Sequence, residues 1–180
     1  MSEELSELQE HAEHAKENPS LAPVSVTMAI LAVLVAVVSL LGHRAHTEEV
    51  VLQSKATDQW AFYQAKNFRR HLDEFFVDMT SVQPTSDAAA LAKMRDKYTG
   101  EASRYKGDQT ELDAEARKLE SEVVMERNRA DRYDLAEVFL EIGLVITSIT
   151  LLSGRKIYWW LGIGLGVVGI LVAATGALIH

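Results

Sequence analysis

The stretch VSVTMAILAVLVAVVSLLG, residues 24–42, decides the fold, because it is uncharged over about the 20 residues that a membrane-spanning helix needs. The segment before it is acidic, with Lys16 as its only basic residue. A secretory signal peptide has a basic start, a shorter apolar region and a cleavage site of small residues, and this segment has none of these. We therefore predict a retained transmembrane helix over residues 22–42, preceded by an acidic, amphipathic tail over residues 1–21.

A second apolar region covers residues 134–179 and is divided by a single basic break. We predict a transmembrane helix over residues 134–153, a basic loop over residues 154–156 and another transmembrane helix over residues 157–179. The aromatic residues at 158–160 follow this loop directly, as is typical of a membrane–water interface. The chain thus has three predicted spans, and the last two form a tight hairpin.

The charged middle of the chain, residues 43–133, has the pattern of two long helices. No Pro and no Gly occurs between residues 43 and 80, so the first span should continue as one helix beyond the membrane. Pro84 marks a turn within residues 81–87, and the returning helix leads into the second span. Each helix carries an apolar stripe at near-heptad spacing, and we expect the two stripes to face each other. The stripes are Ala61, Ala65, Phe68, Leu72, Phe75 and Met79 in the outgoing helix, and Leu91, Met94, Tyr98, Tyr105, Leu112, Ala116, Leu119 and Val123 in the returning helix.

These elements define the predicted fold class. It is an all-α membrane protein with three transmembrane helices and a long antiparallel helical hairpin, a coiled-coil-like stalk, between the first and second spans. The hairpin occupies residues 43–133 and lies outside the membrane.

The composition excludes several classes of function. The formal net charge of −8 argues against nucleic acid as a partner, because phosphate binding needs a basic surface. The absence of cysteine excludes disulfides, thiolate metal sites and cysteine nucleophiles. The hexapeptide GLGVVG, residues 164–169, matches a dinucleotide-binding fingerprint, but it lies inside an apolar span with no preceding strand. With no nucleophile–base pair and no phosphate loop, we expect neither enzymatic activity nor a cofactor.

Small residues recur at spacings of three and four in two of the spans, a pattern that lets helix backbones approach closely in lipid. The pattern does not say whether the contact lies within one chain or between chains. The two stripes are Ser25, Ala29, Ala32, Ala36 and Ser39 in the first span, and Gly162, Gly166, Gly169, Ala173 and Gly176 in the third.

Two glutamates, Glu137 and Glu141, stand one helical turn apart at the start of the second span. A carboxylate at membrane depth costs free energy unless it is paired, protonated or wetted. Two interpretations are open. The carboxylates belong to a proton or cation path or to an oligomer contact, or they are boundary residues that reach water beside nearby arginines.

The histidines occur as two pairs at i, i+3, His11 with His14 and His43 with His46, a spacing that allows two ligands to share one metal. We expect the pair at the end of the first span to be solvated, because the returning helix offers the arginine-rich segment 127–132 at that height. No metal site is therefore predicted, and His43 and His46 are the candidates should a metal bind.

A second stripe on the outgoing helix is polar and aromatic. It contains Trp60, Gln64, Asn67 and His71, with Tyr63 beside it. Because the neighbouring apolar stripe is assigned to the hairpin, we predict that this one faces another copy of the chain, where Trp and Tyr are favoured anchors. Two alternatives are open: a small-ligand site lined by Trp60, Tyr63 and Gln64, and a core within one chain.

The segment DQWAFYQAKNFR, residues 58–69, resembles the Trp-x-x-Tyr-Gln-Ala-Lys signature of a bacterial membrane family known as domain of unknown function 4337. The matching residues are Trp60, Tyr63, Gln64, Ala65 and Lys66. The layout, with a charged tail, one span, a long helical middle and a C-terminal pair of spans, is similar over nearly the whole chain. The resemblance implies a multi-pass membrane protein and carries over no catalytic residues, because the family has no established activity.

The basic residues near the spans give opposing indications of orientation. The short basic loop favours its own side as cytoplasmic, whereas the larger number of basic residues on the stalk side favours that side. We adopt a cytoplasmic stalk in a bacterial inner membrane.

The sequence therefore predicts a non-enzymatic, homo-oligomeric membrane protein that acts as a scaffold or accessory subunit. Its expected partners are further copies of itself, membrane lipid and an unidentified membrane protein complex. The alternative is an oligomeric channel or transport component with Glu141 in the pore or proton path, together with Ser148 and the polar face of the stalk.

Overall fold

The computed structural model describes residues 21–82 and 87–179, and the regular secondary structure of these residues is entirely helical. It contains α1 (Ala22–Val82), α2 (Ala88–Ser153) and α3 (Lys156–Ala177). Each helix includes a stretch that is long and apolar enough to cross a membrane. The prediction of an all-α chain with three span-forming helices is confirmed at this level. The acidic tail and most of the turn around Pro84 lie outside the described residues.

The continuity of the two long helices is the main feature of the chain. α1 passes residue 42 and α2 passes residue 133 without a break, because neither boundary contains a proline. α2 ends where Gly154 adopts a φ of 67°, a conformation that glycine takes without steric cost. The predicted break is therefore in the expected place, but Lys156 already belongs to α3, so the connection is shorter than predicted.

The chain divides into two compact units. One, called here the three-helix unit, contains the described residues up to Glu48 together with those from Met125 onwards. The other, the two-helix unit, contains Glu49–Val124. Each unit has its own packing and is described separately.

The core of the three-helix unit is built from apolar side chains of α1 and α2 and from glycines of α3. Leu140 is fully buried, and Leu31 and Val38 pack in the same cluster. A Cβ atom on Gly166 would come within 2.6 Å of Leu31, and one on Gly169 within 2.8 Å of Leu140. The glycine stripe of α3 is thus used within the chain, where it lets α3 approach both other helices.

The small-residue stripe of α1 has a different location. Ala29 and Ala36 are exposed and Ala32 is half-buried, while the larger side chains Met28 and Leu31 turn inward. The contact of α1 inside the three-helix unit therefore depends on large apolar side chains that enter the grooves left by glycines on α3.

Polar contacts complete the three-helix unit near both ends of α3. The indole Nε1 of Trp159 donates a hydrogen bond to Thr27 Oγ1 across 3.0 Å. At the other end, a guanidinium nitrogen of Arg129 donates to the carbonyl oxygen of Ile179, also across 3.0 Å. Trp159 therefore has a specific partner on α1 in addition to its predicted interfacial position.

In the two-helix unit, α1 and α2 run antiparallel. Residues later in α1 contact residues earlier in α2. Trp60 bonds to Glu120, and the ring of Phe76 lies against that of Tyr98. Small residues of α2, including Ala102 and Ala116, are buried at this contact and let the helices come close.

The stripe predicted to line this contact on α1 was wrong. Its larger members, Phe68, Leu72, Phe75 and Met79, are all exposed. The buried side chains of α1 are instead those of Leu52, Ala56, Asp73 and Thr80. On α2 the predicted stripe agrees better with the structure: Ala116 and Val123 are buried, and of the larger side chains only Met94 is exposed.

Candidate functional site

The polar and aromatic stripe of α1 contacts α2 inside the two-helix unit. Trp60 donates from its indole nitrogen to Oε1 of Glu120 across 2.9 Å, and its ring meets that of Tyr63 edge-on at 5.5 Å. The guanidinium of Arg117 lies 5.9 Å from the Trp60 ring centroid, within range of a cation–π contact. These contacts correspond to the intrachain alternative that the sequence left open.

The polar side chains one and two turns further along α1 also find partners on α2. Lys66 forms an ion pair with Asp108. The amide oxygen of Asn67 accepts a hydrogen bond from the buried Gln109 across 2.9 Å, and another from Arg70 across 3.1 Å. The polar groups of this stripe therefore satisfy one another across the helix pair, which is the physical reason why this side of α1 turns toward α2.

The remaining residues of that stripe point away from α2. Gln64 and His71 are exposed. His71 Nδ1 lies 3.1 Å from a carboxylate oxygen of Glu74, a neighbour on the same helix. The sequence predicted that this stripe faces another copy of the chain. In the structure Trp60 turns toward α2 while Gln64 and His71 are exposed, so the three residues do not form one continuous outer surface.

Another exposed side of α1 in this unit is apolar. Phe68 is 70% exposed and Phe75 is 61% exposed. We call this surface the phenylalanine face, and its members alternate at spacings of four and three residues. They are Ala61, Ala65, Phe68, Leu72, Phe75, Met79 and Val82.

A crevice lies at the edge of this face, between α1 and α2. Its volume is about 400 Å³. We call it the Asp73 crevice, and it is lined by Leu72, Asp73, Phe75, Phe76, Met79, Thr80 and Tyr98. Asp73 is the single ionisable carboxylate among these residues.

Asp73 itself is in an unusual environment. The residue is only 9% exposed, and its Oδ2 atom is buried without a hydrogen-bond partner. Burial raises the pKa of the Asp73 carboxyl above its ordinary value, the charge of Glu101 raises it further, and Lys97 and Arg69 act in the opposite direction. Sequence reasoning missed this residue, since a single Asp on a charged helix carries no signal of burial.

The two histidines that follow the first apolar segment, His43 and His46, have different surroundings. His46 Nε2 lies 3.0 Å from Oδ2 of Asp134 on α2, while His43 is exposed. Besides the arginine-rich segment 127–132 expected at this height, α2 therefore also brings a carboxylate, that of Asp134, to α1. Over residues 21–82 and 87–179, no group of three or more metal-ligating side chains is assembled. His11 and His14 lie outside these residues.

The candidate channel residues lie on α2 in the three-helix unit. Glu141 is exposed and Glu137 is half-buried. Ser148 donates its hydroxyl hydrogen to the carbonyl of Val145 in its own helix across 2.7 Å. Further inside, the hydroxyl of Thr147 bonds to the carbonyl of Gly143, also across 2.7 Å. Both hydroxyls are therefore satisfied within α2.

Comparison with known families decides the affiliation of the chain. A family model described as a domain of unknown function, DUF4337, matches residues 20–179. The chain belongs to the DUF4337 family. The match covers all three helices of this DUF4337 chain and both of its units. Searches of curated proteins and of solved structures gave no match.

Proposed function

We propose that this DUF4337 chain is a non-enzymatic, homo-oligomeric integral membrane protein that serves as a scaffold or accessory subunit. In this proposal the three apolar helices span the membrane, and residues 43–133 form a helical hairpin outside it. Copies of the chain associate through the phenylalanine face. The observation that carries the proposal is the exposure of this face over its whole length.

The spacing of the face favours a helical partner. Apolar residues that alternate at four and three positions form the seam of a coiled coil, in which each side chain enters a hole on the facing helix. The opposite side of α1 already contacts α2, through Trp60 and Lys66 among others. The face is therefore a second, independent helix-packing surface.

The extent of the face supports the same conclusion. The large side chains of the face are 45–78% exposed, which leaves roughly 500 Å² of mainly apolar surface, because side chains of this size have about 150–250 Å² each. This is as large as the largest apolar patch of a typical monomer, about 300–600 Å². A standard protein interface buries roughly 800 Å² per partner, so the face would supply more than half of one.

A second copy of this chain is the most economical partner. A two-fold axis brings the same surface of both copies together. The apolar residues of the stripe then face residues with the same spacing, so no second kind of chain is needed. Phe68 and Phe75 would supply the large anchors of such a contact. The exposed small residues Ala29 and Ala36 offer an additional close contact between spans.

The interface is tested by replacing two anchors with polar residues. We expect the Phe68→Gln/Phe75→Gln variant to have a lower mass than the wild-type protein in analytical ultracentrifugation in a mild non-ionic detergent. Val124→Gln is the control, because Val124 is an exposed apolar residue of α2 in the same unit and does not belong to the stripe. A monomeric wild-type protein, or a double variant with unchanged mass, would contradict the proposal.

One observation favours a second function, an oligomeric channel or transport component. Glu141 is exposed on a helix segment that we propose to be in the membrane, where an unpartnered carboxylate is costly. Neighbouring copies that enclose Glu141 and water would remove this cost and form a polar path. Ion flux in vesicles of reconstituted protein tests this function, and Glu141→Gln should abolish such flux. Equal flux from both proteins would exclude Glu141 from the path.

A further inference from the structure

The Asp73 crevice is not explained by helix packing or by the proposed oligomer. We propose that it binds a small organic cation, an ammonium or guanidinium group that carries an apolar body. The carboxylate of Asp73 pairs with the positive charge, and the aromatic walls of the crevice receive the apolar part. The site is formed by residues of one chain, although part of its lining also belongs to the phenylalanine face.

The first argument is the carboxylate. Asp73 lines the crevice and is about nine-tenths buried, and its buried Oδ2 atom has no hydrogen-bond partner. Buried polar atoms are nearly always hydrogen-bonded in native structures, and a charged one without a partner costs most. A ligand that supplies an N–H donor or a positive charge at this position removes that cost.

The second argument is the composition of the walls. The rings of Phe76 and Tyr98 lie 4.4 Å apart at an interplanar angle of 52°, and Phe75 completes an aromatic lining. Aromatic faces attract organic cations, and a carboxylate behind them strengthens the attraction. The side chain of Met79 adds a polarizable, adaptable contact for an apolar body.

The third argument is the size of the crevice. Its volume of about 400 Å³ lies within the range of roughly 300–1,000 Å³ that is typical of small-molecule sites. A substituted ammonium ion with one aromatic or branched group is of a size to occupy this space, which both Asp73 and Tyr98 line.

The charged groups around the crevice do not already occupy it. Arg69 on α1 and Lys97 and Glu101 on α2 act on the Asp73 carboxylate by charge. Lys97 Nζ stands 5.3 Å from the Tyr98 ring centroid. Among the described residues, neither cation forms an ion pair with Asp73, and the carboxylate of Glu101 further disfavours an anionic ligand. A neutral ligand without a donor would leave Oδ2 unpartnered.

The crevice shares three side chains with the phenylalanine face, namely Leu72, Phe75 and Met79. A basic side chain from a second copy is therefore the competing occupant. The test must distinguish a free cation from such a side chain, so binding and oligomeric mass are measured on the same samples.

The probe is benzyltrimethylammonium, titrated into the full-length protein in a non-ionic detergent by isothermal calorimetry. We expect saturable binding of one cation per chain, and no comparable binding of benzyl alcohol, which lacks the charge. Asp73→Asn preserves the shape of the side chain and should weaken binding at least about tenfold, as loss of a buried charge pair requires. Asp78→Asn is the matched control, because Asp78 is exposed on the same helix and does not line the crevice.

A second variant tests the site independently, in case Asp73→Asn fails to bind because it is misfolded. Tyr98→Leu retains an apolar wall but removes the ring, and it should weaken binding several-fold while Asp73 is still present. Circular dichroism verifies that the helix content of both variants equals that of the wild-type protein.

Three results would overturn the proposal. They are the absence of saturable binding to the wild-type protein, equal affinity of wild type and Asp73→Asn, and benzyl alcohol binding as tightly as the cation. Loss of oligomeric mass in Asp73→Asn would also overturn it, because the carboxylate would then belong to the contact between copies. Failure of the phenylalanine-face variants to change the mass bears only on the oligomer.

Discussion

The indole nitrogen of Trp60 lies 2.9 Å from Oε1 of Glu120 and donates a hydrogen bond to it from α1 to α2. The bond directs Trp60 toward α2, whereas Phe68 and Phe75, on another side of the same helix, are exposed. The proposed assembly surface follows from this one rotation of the helix.

The first prediction concerns the Trp60 hydrogen bond. Trp60→Phe removes the donor but keeps an aromatic ring, and it should lower the free energy of unfolding by about 0.5–1.5 kcal/mol, the net contribution of one hydrogen bond. The oligomeric mass should be unchanged. Thermal unfolding followed by circular dichroism and ultracentrifugation measure the two quantities.

A double-mutant cycle with Glu120→Ala provides the control for Trp60→Phe. Because both changes remove the same contact, the double variant should lose less stability than the sum of the single variants. Additive losses would show that the bond contributes nothing. A change in the oligomeric mass of Trp60→Phe would instead indicate that Trp60 takes part in the contact between copies.

The second prediction concerns the close packing of α3. A Cβ atom on Gly162 would overlap the hydroxyl of Thr147 and come within 2.7 Å of the carbonyl oxygen of Gly143. Gly162→Ala should therefore destabilise the three-helix unit by about 1–3 kcal/mol, the usual cost of overpacking. The loss of helix signal on heating in detergent measures the effect.

Gly164→Ala is the matched control for Gly162→Ala. It lies two residues further along α3, and no atom would come within 4 Å of its new Cβ. This variant should unfold at the wild-type temperature or slightly above it. Equal destabilisation by the two substitutions would show that α3 does not pack through its glycine stripe.

The third prediction concerns two exposed glycines in the α2 part of the two-helix unit. No atom would lie within 4 Å of a Cβ placed on Gly100 or Gly107. Each Gly→Ala change should stabilise the helix by roughly 0.5–1 kcal/mol, because alanine loses less backbone entropy on folding. Urea unfolding of the single and double variants tests this, and a destabilised Gly100→Ala or Gly107→Ala would indicate a contact at that face.

The fourth prediction concerns the pH dependence of stability at Asp73. Burial raises the pKa of this carboxyl in the folded chain, so the folded state binds a proton more readily than the unfolded state. The contribution of Asp73 to stability is therefore most favourable below its unfolded pKa and declines as the pH rises through the folded pKa. Asp73→Asn removes this dependence.

The difference in unfolding temperature, Asp73→Asn minus wild type, should consequently be more positive at about pH 7 than at about pH 3.5. Taking the difference cancels the titration of the other carboxylates that both proteins share. Asp78→Asn controls for removing one carboxylate from an exposed position of the same helix. A pH-independent difference for Asp73→Asn would show that burial does not perturb this group.

The agreement between sequence and structure was greatest for local properties. The three helices apolar enough to span a membrane were predictable from their long apolar runs, and the continuation of α1 beyond residue 42 from the absence of Gly and Pro over residues 43–80. The break after α2 was predictable from Gly154 and the basic residues beside it. Each of these depends on residues that are neighbours in the chain, so the information is present in a short window.

The packing of α1 in the two-helix unit was not predictable in this way. Its two candidate stripes lie about a quarter turn apart on the helix, at about 100° per residue, and local sequence does not fix which of them turns toward α2. The apolar stripe was expected inside, but Lys66 and Asn67 have partners at Asp108 and Gln109, forty-two positions further along the chain. Such pairings can be recognised only when the register of the two helices is known.

The sequence by itself determined that the chain forms long helices with three apolar segments, because hydropathy and helix propensity are properties of consecutive residues. Only the tertiary structure decided which side of α1 is left exposed and that Asp73 is buried without a partner. These features depend on the rotation and register of helices whose contacting residues are distant in the chain. They are the features on which the proposed assembly and the proposed cation site rest.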